Sequence, residues 1–151
     1  YLLDDLWADT GSGHNIEKTV FVECGSEYLS DGPASRRPLG EIDFVTGIAE
    51  QSAAGGAGRA QISGLVSHAD LTLGEGVEEI LAEQRERSSL FRGIRHAGAR
   101  DPDPEAVVIP GRAPEVLSDD AEFRRGGGNG GRVHRSGKAL PRAGGGCDRR
   151  A

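Results

Sequence analysis

Six residues of types that do chemistry fall in three pairs, each at the end of a short apolar run. Glu23 and Cys24 follow Thr19–Val22, His68 and Asp70 follow Ile62–Val66, and Arg95 and His96 follow Leu90–Ile94. Carboxylates and imidazoles exchange protons, a thiolate is a nucleophile, and a guanidinium grips carboxylates. In parallel α/β folds, ligand sites gather at the C-terminal ends of the strands, where the loops converge on one mouth. Three runs with the same polarity say more than any single histidine.

Each residue also has a plainer reading. Glu23 is equally a solvated strand end. Cys24 reads as a small buried hydrophobe rather than a nucleophile, with no histidine near it in sequence. His68 alone fits a hydrogen-bonded core histidine. Arg95 and His96 are adjacent, so in a regular strand only one of them faces the mouth. His14 lies in a Gly/Ser/Asn loop and reads as surface. The chain has no phosphate loop, no Gly-x-Ser-x-Gly, no Cys-x-x-Cys and no His-Glu-x-x-His. Its four histidines, at 14, 68, 96 and 134, are too far apart for a local metal site.

Regular elements must position these residues. Leu2, Leu3, Leu6 and Trp7 have helical spacing, as do Ile42, Val45, Ile48 and Ala49 within 41–53, and Val77, Ile80, Leu81 and Gln84 within 75–87. Residues 119–124 begin a further helix. The three apolar runs between helices read as strands covered on both faces. Helix and strand therefore alternate, which implies βαβ units, right-handed crossovers and a parallel sheet.

The 151 residues include 24 glycines and carry a net charge of −6. That balance disfavours nucleic acid and anionic membrane as partners of the whole chain. Two cysteines in unlike surroundings suggest no disulfide framework, and the expected setting is a reducing cytoplasm. No stretch approaches a membrane span. The sequence contains no methionine and reads as the interior of a longer chain. Its charge divides at Arg125. Residues 126–151 carry +5, hold nine glycines and show no period, whereas residues 1–125 carry −11. The sequence thus predicts a body over 1–125 and a Gly/Arg-rich disordered tail over 126–151. Eighteen of the 26 tail residues are Gly, Ala, Arg or Pro, as expected of out-of-frame translation of a GC-rich gene. A basic nucleic-acid-binding arm is the other reading, though the tail has no interleaved aromatic residues.

Several separated blocks carry a family resemblance. They are Tyr1–Ile16 running into Thr19–Cys24, Gly40–Val45, Gly64–Leu71 and Phe91–His96. Together they resemble the amidohydrolase-related metal-dependent hydrolases across about Tyr1–Arg125. The resemblance implies an α/β fold forming part of a (β/α)8 TIM barrel with parallel strands. It implies a divalent metal, zinc in the intact family, that activates water against a lactone or another small carboxylate-bearing substrate. The family's metal ligands align with nothing in this chain. They are expected before Tyr1 and after Arg125, so no metal ligand is assigned. His68, Arg95 and His96 carry over as mouth-lining, substrate-binding residues, with Arg95 suited to a substrate carboxylate.

Two functions follow as expectations: a hydrolase fragment, inactive by itself, and a non-catalytic interaction protein with a basic nucleic-acid-binding tail. An open half barrel exposes strand edges and apolar surface. The isolated polypeptide is therefore expected to melt without a sharp transition and to show no metal-dependent lactonase turnover. Calorimetry and a lactone assay check this, and a cooperative melt accompanied by turnover overturns it.

Overall fold

The computed structural model describes residues 1–98 and 117–133. Its elements alternate as the sequence predicts. They are α1 (Leu3–Thr10), β1 (Lys18–Val22), α2 (Leu39–Ala54), β2 (Gln61–His68), α3 (Val77–Arg87), β3 (Phe91–Arg95) and α4 (Ala121–Val133). No helix among the described residues is long and apolar enough to cross a membrane.

Local chemistry sets the helix ends. The Asp5 carboxylate accepts the Leu2 N–H at 2.7 Å and caps α1. Asp120 Oδ1 accepts the Phe123 N–H at 2.8 Å and starts α4. Between β2 and α3, Asp70 accepts both the N–H and the hydroxyl of Thr72 and begins a short 3-10 turn over Leu71–Gly76. That turn includes Gly74 at φ 58°, a left-handed conformation suited to glycine.

The sheet is open, three-stranded and parallel, in the order β1-β2-β3. Both ladders shift register once, between Thr19 and Val20 in β1 and between Leu65 and Val66 in β2. The ladder from β1 to β2 skips Ser63, and the ladder from β2 to β3 skips Arg92. One face of the sheet is covered by helices. Leu65 packs there with Leu39, Ile42 and Val45 of α2, joined by Phe21, Leu90 and Phe91. A second cluster joins Ala69, Leu71, Val77 and Leu81 to Phe91, Ile94 and Phe123. Phe91 belongs to both and links them. On α3, the stripe of Val77, Ile80, Leu81 and Gln84 is buried as its spacing predicts. The indole of α1's Trp7 donates to the Ala60 carbonyl and lies under the Arg59 guanidinium.

The opposite face is uncovered among the described residues. Val20 and Val22 are 58% and 42% exposed there, and the atoms nearest to a Cβ on Gly64 would be those of Val20 and Arg92. This corrects the expectation of strands covered on both faces. The alternating burial along β1 shows a strand half in contact with a core. A closed barrel is not seen; the described residues form an open sheet. Helix α4 continues past Arg125 to Val133, because side-chain-free Gly126 lets its backbone sit directly on the Leu71 carbonyl. Residues 134–151, with His134 and Cys147, lie outside the described residues.

Two glycines in α2 give opposite expectations. A methyl on Gly40 would overlap the Glu27 carbonyl and come within 2.8 Å of the Leu29 nitrogen, both backbone atoms. Gly47 has nothing within 4 Å. Gly40→Ala should destabilise by about 1–3 kcal/mol, and Gly47→Ala should stabilise by up to about 1 kcal/mol from helix propensity. Urea denaturation of the two variants checks both signs.

Candidate functional site

The parallel ladders bring the three pairs to one rim. His68 closes β2, Arg95 closes β3, and the two are register partners. His68 Nδ1 lies 3.1 Å from the Arg95 carbonyl oxygen. A carbonyl only accepts, so Nδ1 carries the proton and Nε2 of the neutral ring is an acceptor. His96 follows β3, and its ring centroid is 5.5 Å from that of His68. Its Nδ1 lies 3.1 Å from the Leu71 backbone nitrogen and 3.3 Å from the Ala69 carbonyl oxygen. The edge of Phe123 packs on His96 at 5.3 Å. Neither Nε2 has a hydrogen-bond partner among the described residues.

Asp70 stands beside this pair, with Oδ1 3.7 Å from His96 Nδ1. Partial burial pushes its carboxyl upward. The hydrogen bonds from Thr72 and the nearby imidazoles outweigh burial and hold it below its ordinary value.

Arg95 turns toward β1. Its Nε donates to Glu23 Oε1 at 2.9 Å, and its Nη2 donates to the Glu23 carbonyl at 2.6 Å. The Glu23 side chain is 15% exposed and that of Arg95 54% exposed, so the guanidinium is anchored by one edge with the remainder in solvent. Glu23 is itself fixed by its N–H, which donates to the Val66 carbonyl at 2.8 Å.

Behind the rim, Glu41 in the first turn of α2 is 1% exposed. Its Oε1 accepts the backbone N–H groups of Cys24 at 3.1 Å and Ser26 at 2.9 Å, while its Oε2 has no partner. The Tyr28 phenol nearby is pushed up to about 12, first by burial and then by the charges of Glu41, Glu23 and Cys24.

The structure therefore gathers His68, Arg95 and His96, the residues carried over as substrate-binding, together with Glu23 and Asp70 from the same sequence pairs, and adds Glu41. Glu41 escaped the reading because a charged residue in a helix's first turn looks solvated. Its one signal is position: it stands four residues before Val45, on the buried stripe. Cys24 is a correction. Its thiol is exposed, 3.6 Å from Ser26 Oγ and from Glu41 Oε1, because the chain has already left the sheet there. His14 lies exposed in its loop as expected. An apolar cavity of about 250 Å³ lies between α1, β1 and α2, lined by Leu3, Leu6, Val22, Phe44 and Ile48 among others. None of the rim residues lines it.

No group of three or more His, Cys, Asp or Glu residues that could hold a metal ion occurs among the described residues. Both Nδ1 atoms are already engaged by the backbone. The chain matches no protein-family model, no curated protein and no solved structure.

Asp70 gives a pH dependence of known sign. Its folded carboxyl binds a proton more weakly than the ordinary value of 3.8. The associated stability is present above that value and is lost as pH falls through the depressed folded one. Asp70→Asn should therefore be less stable than wild type near neutrality, with a gap that narrows below about pH 4. Urea midpoints measured across this range check it, and a gap independent of pH overturns it.

Proposed function

We propose that this chain is a substrate-holding sector of a hydrolase of the amidohydrolase-related kind, acting on a small lactone or other carboxylate-bearing molecule. The observation that carries the reading is Arg95, clamped at one edge and open at the other, at the same rim as two imidazoles whose ring centroids are 5.5 Å apart. Sequential parallel strands with helices on one face also suit a sector of an α/β barrel, whose rim would be the mouth.

In this reading the exposed edge of Arg95 holds the substrate carboxylate. Two charge-assisted hydrogen bonds fix its orientation. His68 Nε2 accepts a proton from the attacking water as general base. His96 Nε2–H donates toward the carbonyl oxygen, where negative charge grows as the tetrahedral centre forms. Asp70 lies beside His96, with Oδ1 3.7 Å from its Nδ1. None of the described residues is assigned as a metal ligand, and no step is routed through a metal.

The test is carboxylate binding. Titration of the full chain with succinate, followed by NMR, should move the resonances of Arg95, His68 and His96 together. Arg95→Gln should weaken binding about 10- to 100-fold, the equivalent of about 1.5–3 kcal/mol for hydrogen bonds to a charged group. Equal affinity in wild type and variant overturns the assignment of Arg95.

A further inference from the structure

We propose that buried Glu41 is a positioning residue for Arg95, acting through the single peptide unit that joins Glu23 to Cys24. The two ends of that planar unit are held by groups of opposite charge. Its N–H, from Cys24, donates to Glu41 Oε1 at 3.1 Å. Its C=O, from Glu23, accepts Arg95 Nη2 at 2.6 Å. A peptide unit is rigid, so orienting the N–H orients the carbonyl. It is also polarisable: an anion on the N–H side raises the negative charge on the carbonyl oxygen and strengthens its bond to the guanidinium.

The geometry around the unit supports this role. Glu41 Oε1 also accepts the Ser26 N–H at 2.9 Å and lies 3.4 Å from Ser26 Oγ, so it gathers the turn from two directions. Gly25, between those amides, has φ 79°, which lets both N–H groups converge on one oxygen. The carboxylate is 1% exposed and its Oε2 has no partner, so it cannot turn into solvent without leaving the turn unsupported. The Glu23 side chain adds a second clamp at Arg95 Nε, 2.9 Å away. The guanidinium therefore has a fixed plane before any ligand arrives. Pre-orientation of this kind lowers the ordering cost of binding.

The consequence for ligands rests on the carboxylate-binding reading given above; the coupling itself does not. The experiment separates them by reading Arg95 without ligand. In the full chain, Glu41→Gln keeps an oxygen to accept the two amides and removes the charge. It should speed solvent exchange of the Arg95 Nε–H about fivefold and weaken succinate binding by a similar factor, the low end of ordinary coupling between sites. Glu23→Gln, which alters the direct clamp, is the positive control for the exchange measurement. A merely structural role for Glu41 would lower the melting temperature and leave the Arg95 Nε–H unmoved, and that result overturns the proposal.

Because coupling is reciprocal, Arg95→Gln provides a second reading that leaves Glu41 intact. It should shift the Cys24 amide proton upfield, toward a weaker hydrogen bond, and an unchanged Cys24 amide overturns the proposal. If both resonances respond but succinate binds to no form of the protein, the coupling stands and the carboxylate reading falls. If succinate binds and Arg95→Gln weakens it, while Glu41→Gln changes neither exchange nor affinity, the carboxylate reading stands and the coupling falls.

Discussion

A parallel strand cannot follow its predecessor through a tight turn. The chain must cross over the sheet and begin again at the same end. That constraint shapes everything described here. Two crossovers put α2 and α3 on one face of β1-β2-β3 and bring all three strands to a stop at one rim. Leu65, at the centre of the middle strand, is the packing expression of the same constraint. It is 1% exposed and meets α2 while its neighbours Phe21 and Phe91 flank it from the outer strands.

The rim is polar yet well satisfied. Backbone groups take up Nδ1 of both histidines, and Glu23 supplies Arg95 with both a carboxylate and a carbonyl. On the exposed side, the two Nε2 atoms and the outer edge of the guanidinium remain open. Groups kept rigid by one set of bonds and left open on another side are suited to recognition, because their orientation is settled in advance. Away from the rim, Arg36 pairs with Glu79 and Glu83, and Arg87 with Asp43. These are exposed pairs that tie α3 to its surroundings without bearing on the rim.

Much of the fold was legible in the sequence, because apolar spacing is a local property that burial amplifies. The α3 stripe and the order of elements follow from it directly. So does the convergence of His68, Arg95 and His96, once the strands are taken as parallel. What was not legible depends on partners distant in sequence. Nothing near Val20 and Val22 says that their face is bare, since a covered strand and a half-covered one can share the same apolar letters. Nothing near Glu41 says that the amides of Cys24 and Ser26 will converge on it. Glycines 126–128 read as a helix stop, yet close approach to Leu71 keeps α4 intact through them.

The two register shifts have a consequence for the shape of the sheet. In each ladder the extra residue belongs to the later strand, Ser63 in β2 and then Arg92 in β3. Inserted residues bend a strand and add twist. Errors of opposite sense would cancel and leave a flat ribbon. Errors of the same sense accumulate, so each strand is advanced relative to the one before it. A progressive stagger of this kind lets a ribbon curl toward its own starting edge.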